Sequence, residues 1–309
     1  MELVSSKKTI LLLGSTGFLG SSVLNSLKSK NMMYWDILLS QSAPSGNSPV
    51  FTFLDSNAGS IGRFQFSQLS NDSSQSFVVI NCASSRNSGS KELSMHGNFE
   101  FPKKVLEGLL GTREPSIRWI QIETFWQYSK DSIPDENYVF WKNQFKNFLA
   151  ETSKDKKFMV NSLTLSHLLG PFDNPNRFLP QLFSKIQRNA VVKVSSPNEV
   201  FCLTDVRDVA EYLVSTVDSK QSDQNMQNAL FPSNHLTLRE IINGFIRVSG
   251  SQSQVHFNEV NKVFNPSLVL SEQPPILDSQ HSILRSLDST FSDVHQWLAE
   301  LHRIGNLHQ

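Results

Sequence analysis

The sequence predicts an α/β protein built on a doubly wound parallel sheet, with a smaller lobe towards the C-terminus. A continuous apolar run, Ile10 to Leu13, is typical of a strand buried on both faces, and a glycine-rich turn joins it to an amphipathic helix. Strands and helices then alternate as far as Gly170. The elements beyond are shorter and less regular, which indicates the separate lobe.

The turn after the first strand has glycines at every third position, Gly14, Gly17 and Gly20. This spacing is a variant of the dinucleotide-binding fingerprint, in which the glycines make the turn, admit the pyrophosphate and let the helix pack closely. The phosphates would bind N–H groups at the helix N-terminus. An ordinary glycine-rich turn is the alternative, and the flanking strand and helix argue against it. The expected cofactor-binding residues here are Gly14, Thr16, Gly17, Phe18, Leu19 and Gly20.

The end of the second predicted strand, Trp35 to Ser40, bears on the type of cofactor. Folds of this kind that bind NAD place an Asp or Glu there for the ribose 2′-hydroxyl, whereas the 2′-phosphate of NADP requires that acid to be absent. Ser40, Gln41 and Ser42 offer no carboxylate. The sequence therefore predicts a preference for NADP(H), with NAD(H) as the alternative because no arginine lies in this turn.

The next elements continue the alternation. Strands are predicted at Val50 to Leu54, Phe64 to Leu69, Phe77 to Ala83, Ile117 to Ile122 and Phe158 to Leu165, with a helix from Asn98 to Gly111. The C-terminal part should contain helices at Arg177 to Arg188, Asp208 to Val217, Leu238 to Val248 and Asp293 to Arg303, and strands at Val191 to Val194 and Phe201 to Val206. We expect residues 1–172 to bind the dinucleotide, with 200–232 returning to that domain, and 173–309 to form mainly the substrate lobe.

Three residues of the sequence form a candidate catalytic set. Thr124 follows the strand that ends at Ile122, and the next helix contains Tyr138 and Lys142, which are four residues apart and therefore share a helix face. A nearby ammonium stabilises the phenolate form of a tyrosine, so its hydroxyl can exchange a proton with a carbonyl or alcohol. Thr124 would hydrogen-bond the same substrate oxygen. A chance Tyr and Lys pair is the alternative.

These motifs, in this order, resemble the extended branch of the short-chain dehydrogenase/reductase family. The resemblance covers nearly the whole chain and includes the three glycines, Asn81-Cys82-Ala83, Asn98, Thr124, Tyr138-x-x-x-Lys142 and Gly170-Pro171. It implies a Rossmann fold with Thr124, Tyr138 and Lys142 as catalytic residues. It also implies that the dinucleotide contacts Cys82, Ala83, Asn98, Tyr138, Lys142 and Pro171.

Within that branch, Thr124 to Tyr128 and Gly170 to Asp173 are similar to enzymes of the CDP-abequose and CDP-paratose synthase type. This likeness implies reduction of the 4-keto group of a deoxysugar attached to a nucleoside diphosphate. A sugar-nucleotide 4-epimerase with tightly held NAD would use the same residues. A non-catalytic NADP(H)-sensing protein is the third alternative, and a homodimer is compatible with all three.

Composition narrows the function classes. The 309 residues contain 28 Lys and Arg against 28 Asp and Glu, so no overall basic field would recruit nucleic acid. No apolar run is long enough to span a membrane, and the first residues do not resemble a signal peptide, so we expect a cytoplasmic protein. His295, His302 and His308 lack the spacing of a helical metal pair, and we expect no metal site.

Overall fold

The protein is described by a computed structural model, which covers residues 8–30, 36–41, 50–54, 61–64, 76–86, 90–111, 116–129, 135–155, 158–217, 228–258, 274–277 and 284–306. The strands are β1 (Lys8–Leu13), β2 (Asp36–Gln41), β3 (Val50–Leu54), β4 (Ile61–Phe64), β5 (Ser76–Asn81), β6 (Ser116–Thr124), β7 (Met159–Leu165), β8 (His167–Leu169), β9 (Val192–Val194), β10 (Val200–Asp205), β11 (Ala229–Leu230), β12 (Asn234–Thr237) and β13 (Val255–Phe257). The helices are α1 (Phe18–Ser29), α2 (Lys91–Met95), α3 (Phe101–Leu110), α4 (Glu136–Asp155), α5 (Phe178–Gln187), α6 (Val206–Val217), α7 (Leu238–Ser249) and α8 (Leu287–Asn306).

An eight-stranded sheet forms the centre of the molecule, in the order β11-β7-β6-β5-β1-β2-β3-β4. The five strands from β7 to β2 run parallel, β11 extends them in the same direction, and β3 and β4 add an antiparallel edge. This arrangement confirms the predicted Rossmann fold.

Both faces of this sheet are covered by helices, which explains the uninterrupted apolar sequence of β1. Ile10 and Leu12 pack towards α1 and α6, whereas Leu11 and Leu13 pack towards α3 and α4, and all four side chains are fully buried. A strand with helices on both sides has no polar face, so its hydrophobicity does not alternate.

A smaller lobe lies towards the C-terminus, as expected. It contains a three-stranded sheet, β12-β10-β8, and a two-stranded sheet, β13-β9. Helices α5, α7 and α8 share a core with these strands, centred on the stacked rings of Phe183 and Phe245, whose centroids are 4.1 Å apart. A capping box opens α7, because Thr237 and Glu240 cap each other's backbone N–H groups.

Several boundaries differ from those that the sequence suggested. The helix expected from Asn98 begins at Lys91, where Ser90 accepts a hydrogen bond from the Leu93 N–H, and it passes through a π-helical turn at His96–Glu100. The last helix begins at Leu287 rather than Asp293. The strand expected at Phe64 to Leu69 is found at Ile61–Phe64, and residues 65–69 lie outside the described part of the chain.

Candidate active site

The glycine turn is held tightly between β1 and the end of β5. Gly14 has a φ of +75°, and a Cβ added to it would lie 2.7 Å from the Ala83 nitrogen. A Cβ on Gly20 would lie 2.0 Å from the Gly14 oxygen. Both distances are shorter than any real contact, so only glycine permits this approach of strand, turn and helix.

The N-terminus of α1 is suited to an anionic ligand. Gly17 is its N-cap, no side chain caps the helix, and its first turn has no acidic residue. Thr16 and Gly17 are exposed, whereas Phe18 is half-buried and Leu19 is buried. Unpaired N–H groups and the helix dipole at such an end favour phosphate, so this turn fits the pyrophosphate of a dinucleotide.

Asn98 is one of the residues that hold the segment after β5. The Asn98 Nδ2 donates to the Ser85 oxygen at 2.8 Å and to the Ser94 oxygen at 2.7 Å, while the Ser85 N–H donates to the Asn98 Oδ1 at 3.2 Å. Asn98 therefore positions the segment that carries Cys82 and Ala83. Burial raises the pKa of the Cys82 thiol to about 12, with the Lys142 charge opposing the shift, so this thiol is neutral.

Thr124 ends β6 and caps a single 3-10 turn, Phe125–Tyr128. The Trp126 N–H donates to the Thr124 Oγ1 at 3.4 Å, and the Thr124 N–H donates to the Gln127 Oε1 at 2.9 Å. Because the Oγ1 acts as an acceptor in the cap, its own hydrogen is available to donate to a substrate oxygen.

Tyr138 and Lys142 lie together on the buried face of α4. Tyr138 is 7% exposed and Lys142 is 3% exposed, and the Lys142 Nζ lies 5.8 Å from the centroid of the Tyr138 ring. The same Nζ donates a hydrogen bond of 2.6 Å to the Ile122 oxygen, two residues before Thr124. The structure thus brings the helix pair against the end of the threonine-bearing strand.

Glu123 is a site residue that the sequence did not reveal. Its side chain is buried at 2% exposure, and neither carboxyl oxygen finds a hydrogen-bond partner among the residues that the structure describes. Burial raises the pKa of this carboxyl, although the positive charges of Lys142 and Lys146 and the nearby Gln127 amide oppose the shift.

His167 is a second residue that the sequence did not single out. Its ring centroid lies 4.9 Å from that of Phe125, 6.0 Å from that of Trp126 and 5.1 Å from that of Phe201. Burial, with a smaller effect of the Arg86 charge, lowers the pKa of His167 to about 4, so the imidazole is neutral at physiological pH. Within the described chain its Nδ1 makes no hydrogen bond.

The remaining expected positions lie near the turn or outside the described residues. A Cβ on Gly170, which precedes Pro171, would lie 3.6 Å from the Phe18 ring, so this loop is close to the α1 N-terminus. Ser40 and Gln41 end β2, whereas Ser42 lies outside the described residues. The cofactor and catalytic roles of all these residues stay predictions.

Fold and site together define a Rossmann protein with a dinucleotide-type turn and a Thr, Tyr and Lys set at the carboxyl ends of its parallel strands. The family model described as the NAD dependent epimerase/dehydratase family matches residues 10–228. The chain belongs to this family. No curated protein matches the chain significantly.

Solved structures of similar fold cover almost the whole chain. UDP-glucuronic acid 4-epimerase from Bacillus cereus, in complex with UDP-glucuronic acid and NAD, has a TM-score of 0.65 at 16% identity and covers 95% of this chain and 99% of its own. A GDP-L-fucose synthetase from Naegleria fowleri bound to NADP has a TM-score of 0.64 at 12% identity, with coverages of 97% and 95%. The dTDP-glucose 4,6-dehydratase from Bacillus anthracis, in complex with NAD, has a TM-score of 0.63 at 12% identity, with coverages of 96% and 98%.

Among the helices that the structure describes, none is both long and apolar enough to cross a membrane.

Proposed function

We propose that this protein reduces the 4-keto group of a deoxysugar attached to a nucleoside diphosphate. The observation that carries the proposal is the convergence of three buried groups, the Thr124 hydroxyl, the Tyr138 phenol and the Lys142 ammonium, at the end of β6. Residues of these types, so placed, suit proton transfer to a carbonyl oxygen.

Each residue has a role in this reaction. Thr124 holds the carbonyl oxygen, Tyr138 delivers the proton to it, and the Lys142 charge stabilises the phenolate that is left. The Lys142 Nζ keeps donors beyond its bond to the Ile122 oxygen, and these would hold a ribose hydroxyl of the dinucleotide. The dinucleotide, when bound, supplies the hydride to the carbonyl carbon.

The aromatic rings beside Thr124 support a deoxysugar as substrate. Phe125 and Trp126 have ring centroids 4.4 Å apart, and both contact the neutral ring of His167. Such a wall offers apolar contact and few hydrogen bonds, so it suits a sugar carbon that lacks its hydroxyl group.

The same two residues argue against removal of water from a hexose. That elimination requires an acid and a base at the reacting carbons, and members of this family that perform it place two acidic residues directly after the catalytic threonine. Phe125 and Trp126 occupy those positions. Neither ring exchanges a proton, whereas ketone reduction needs only Thr124, Tyr138 and Lys142 with the dinucleotide.

The test supplies NADPH with a panel of 4-keto sugar nucleotides, beginning with CDP-linked deoxysugars, and follows both NADPH oxidation and product mass. We expect one NADPH oxidised for each ketone converted to an alcohol. An isomer of the substrate formed without net NADPH consumption would instead identify a 4-epimerase. Loss of water from an intact hexose would refute the mechanism, and NADPH binding without turnover on any substrate would favour a sensor.

We further propose NADP(H) as the preferred cofactor, because the end of β2 carries no acid. Separate titrations should show NADPH binding at least as tightly as NADH, and a clear preference for NADH would overturn this.

In the variant Gly17→Val both dinucleotides should bind weakly, since the side chain would occupy the phosphate-binding face. A Cβ at Gly17 meets only the Gly14 oxygen, at 3.3 Å, so the variant should fold. Gly111→Val, remote from the turn, is the matched control.

The domain division is also a proposal. Residues 1–172 would bind the dinucleotide and 173–309 would mainly hold the sugar nucleotide. The packing of α6 on the large sheet and the pairing of Ala229–Leu230 with β7 support the return of the later part of 200–232 to the first domain. Its first strand, β10, pairs instead with β8 and β12 in the sheet of the smaller lobe.

A further inference from the structure

A second cation lies beside the Tyr138 ring. The guanidinium carbon of Arg86 is 5.6 Å from the ring centroid, nearly the same distance as the Lys142 Nζ at 5.8 Å. The Arg86 side chain is exposed, and no hydrogen bond or ion pair of its guanidinium is found within the described ranges of the chain. Its charge is therefore not neutralised by a described carboxylate.

The backbone under Arg86 is fixed. The Asn98 amide binds both the N–H and the carbonyl oxygen of Ser85, the preceding residue. Gly97 also approaches closely, since a Cβ there would lie 2.7 Å from the Ser85 Cβ. The backbone from which the Arg86 side chain extends towards the Tyr138 ring is thus held in place.

The charged and titratable groups near Lys142 differ from those near Arg86. Lys142 has Glu123 and Cys82 within its electrostatic range, and Lys146 lies near the same Glu123. Arg86 acts on His167, a neutral imidazole. The lysines thus share a carboxyl group, whereas Arg86 has none among the residues that the structure describes.

We propose that Arg86 is a positioning residue for proton transfer, acting through Tyr138 by its charge. When the Oη–H bond of Tyr138 breaks and the proton binds the substrate oxygen, the electron pair stays on the phenolate, whose ring centroid lies 5.6 Å from the Arg86 guanidinium carbon and 5.8 Å from the Lys142 Nζ. The two positive charges stabilise that anion. The kinetic effect of Arg86 rests on the proposed ketone reduction. Its effect on the ionisation of Tyr138 can be measured whether or not the protein reduces a ketone.

The kinetic test compares Arg86→Met, which removes the charge at similar length, with Arg86→Lys, which keeps it. We expect Arg86→Met to lower kcat about tenfold, equivalent to about 1.4 kcal/mol, with KM and NADPH affinity nearly unchanged. Arg86→Lys should stay within about threefold of wild type. Lys103→Met is the matched control, because the Lys103 Nζ lies 5.5 Å from the centroid of the Phe99 ring, away from Tyr138.

A second measurement is independent of turnover. Ultraviolet difference titration of wild type against Tyr138→Phe isolates the phenolate signal of Tyr138, and repeating it in the Arg86→Met background should move that signal to higher pH. An unmoved titration, an unchanged kcat in Arg86→Met, or an equal loss in Arg86→Lys would overturn the role of Arg86. Absence of ketone reduction in wild type with a shifted titration would instead reject the proposed function alone.

Discussion

Two buried polar clusters in this molecule differ in how completely their groups are paired. The first joins β10 and α6 to α8, and here Arg207 binds Asp205 and Asp293 at 2.6 Å each, while the Thr290 hydroxyl donates to Asp205 at 2.7 Å. Burial alone would raise the pKa of Asp205, but the hydrogen bonds and charge of Arg207 and the Thr290 bond hold it below its usual range.

The second cluster lies beneath α4 and beside Thr124, and its groups are left incomplete. The Glu123 carboxyl and the His167 Nδ1 lack hydrogen bonds in the part of the chain that the structure describes. Unsatisfied buried groups lower stability and are rare in folded proteins. Ser26 in α1 and Gln187 in α5 also contain a buried atom without a partner among the described residues, so an unpaired group alone does not define a site. The comparison teaches that complete pairing stabilises the fold, whereas the unpaired groups beside Thr124 draw attention because they lie near Tyr138 and Lys142.

The largest expected effect comes from breaking the paired cluster. Asp205→Ala leaves Arg207 partly buried without its main partner and should lower the free energy of unfolding by about 3 kcal/mol. Urea unfolding measures it. Glu300→Ala, which removes an exposed partner of Arg303, is the control and should leave stability unchanged. Similar losses in both variants would contradict a stabilising role specific to the buried pairing of Asp205.

The stability of the protein should depend on pH through His167, a member of the incomplete cluster. Because the pKa of His167 is lowered to about 4, the unfolded chain takes up this proton near pH 6.5 and the folded protein only near pH 4. Stability should therefore fall by about 3 kcal/mol as pH drops across that window, and His167→Gln should remove this part of the dependence. The same change at exposed His256 should not, and a wild-type slope retained in His167→Gln would contradict the assignment.

Tyr138, the proposed proton donor, should matter to turnover and little to stability. Tyr138→Phe should lower kcat about a hundredfold or more, equivalent to about 2.7 kcal/mol, with NADPH binding and Tm nearly unchanged. Tyr128→Phe is the matched control, since the Tyr128 hydroxyl accepts a hydrogen bond from Lys146 at 2.9 Å and donates one to the Asn228 Oδ1 at 3.4 Å. A Tyr138→Phe protein as fast as wild type would exclude the proposed proton donor.

Local patterns predicted much of the fold. The glycine spacing predicted the turn because the constraint at Gly14 and Gly20 involves backbone only. The spacing of Tyr138 and Lys142 fixed their common face because helical periodicity is local. The buried strands could be recognised as uninterrupted apolar runs because helices cover both sides of the sheet.

Residues whose environment depends on tertiary packing were missed. Glu123 is buried only because α4 lies over β6, and a glutamate next to a threonine has no distinguishing pattern in sequence. His167 belongs to β8, which leaves the large sheet after Leu165 and pairs with β10 in the second sheet. The position of the Arg86 backbone depends on the hydrogen bonds that Asn98 makes to the preceding residue. Asn98 lies in a helical segment whose early start was not evident from the polar sequence around Ser90.

The contact between the glycine turn and the end of β5 has a consequence for biosynthesis. The turn is complete in sequence by Gly20, yet the backbone of Cys82 and Ala83 closes it, and the Cys82 N–H donates to the Leu13 oxygen at 3.0 Å. When only β1 and α1 of the nascent chain have left the ribosome, the backbone of Cys82 and Ala83 that closes the turn is not yet in place. The turn therefore gains its full set of contacts only after β5 emerges and inserts beside β1.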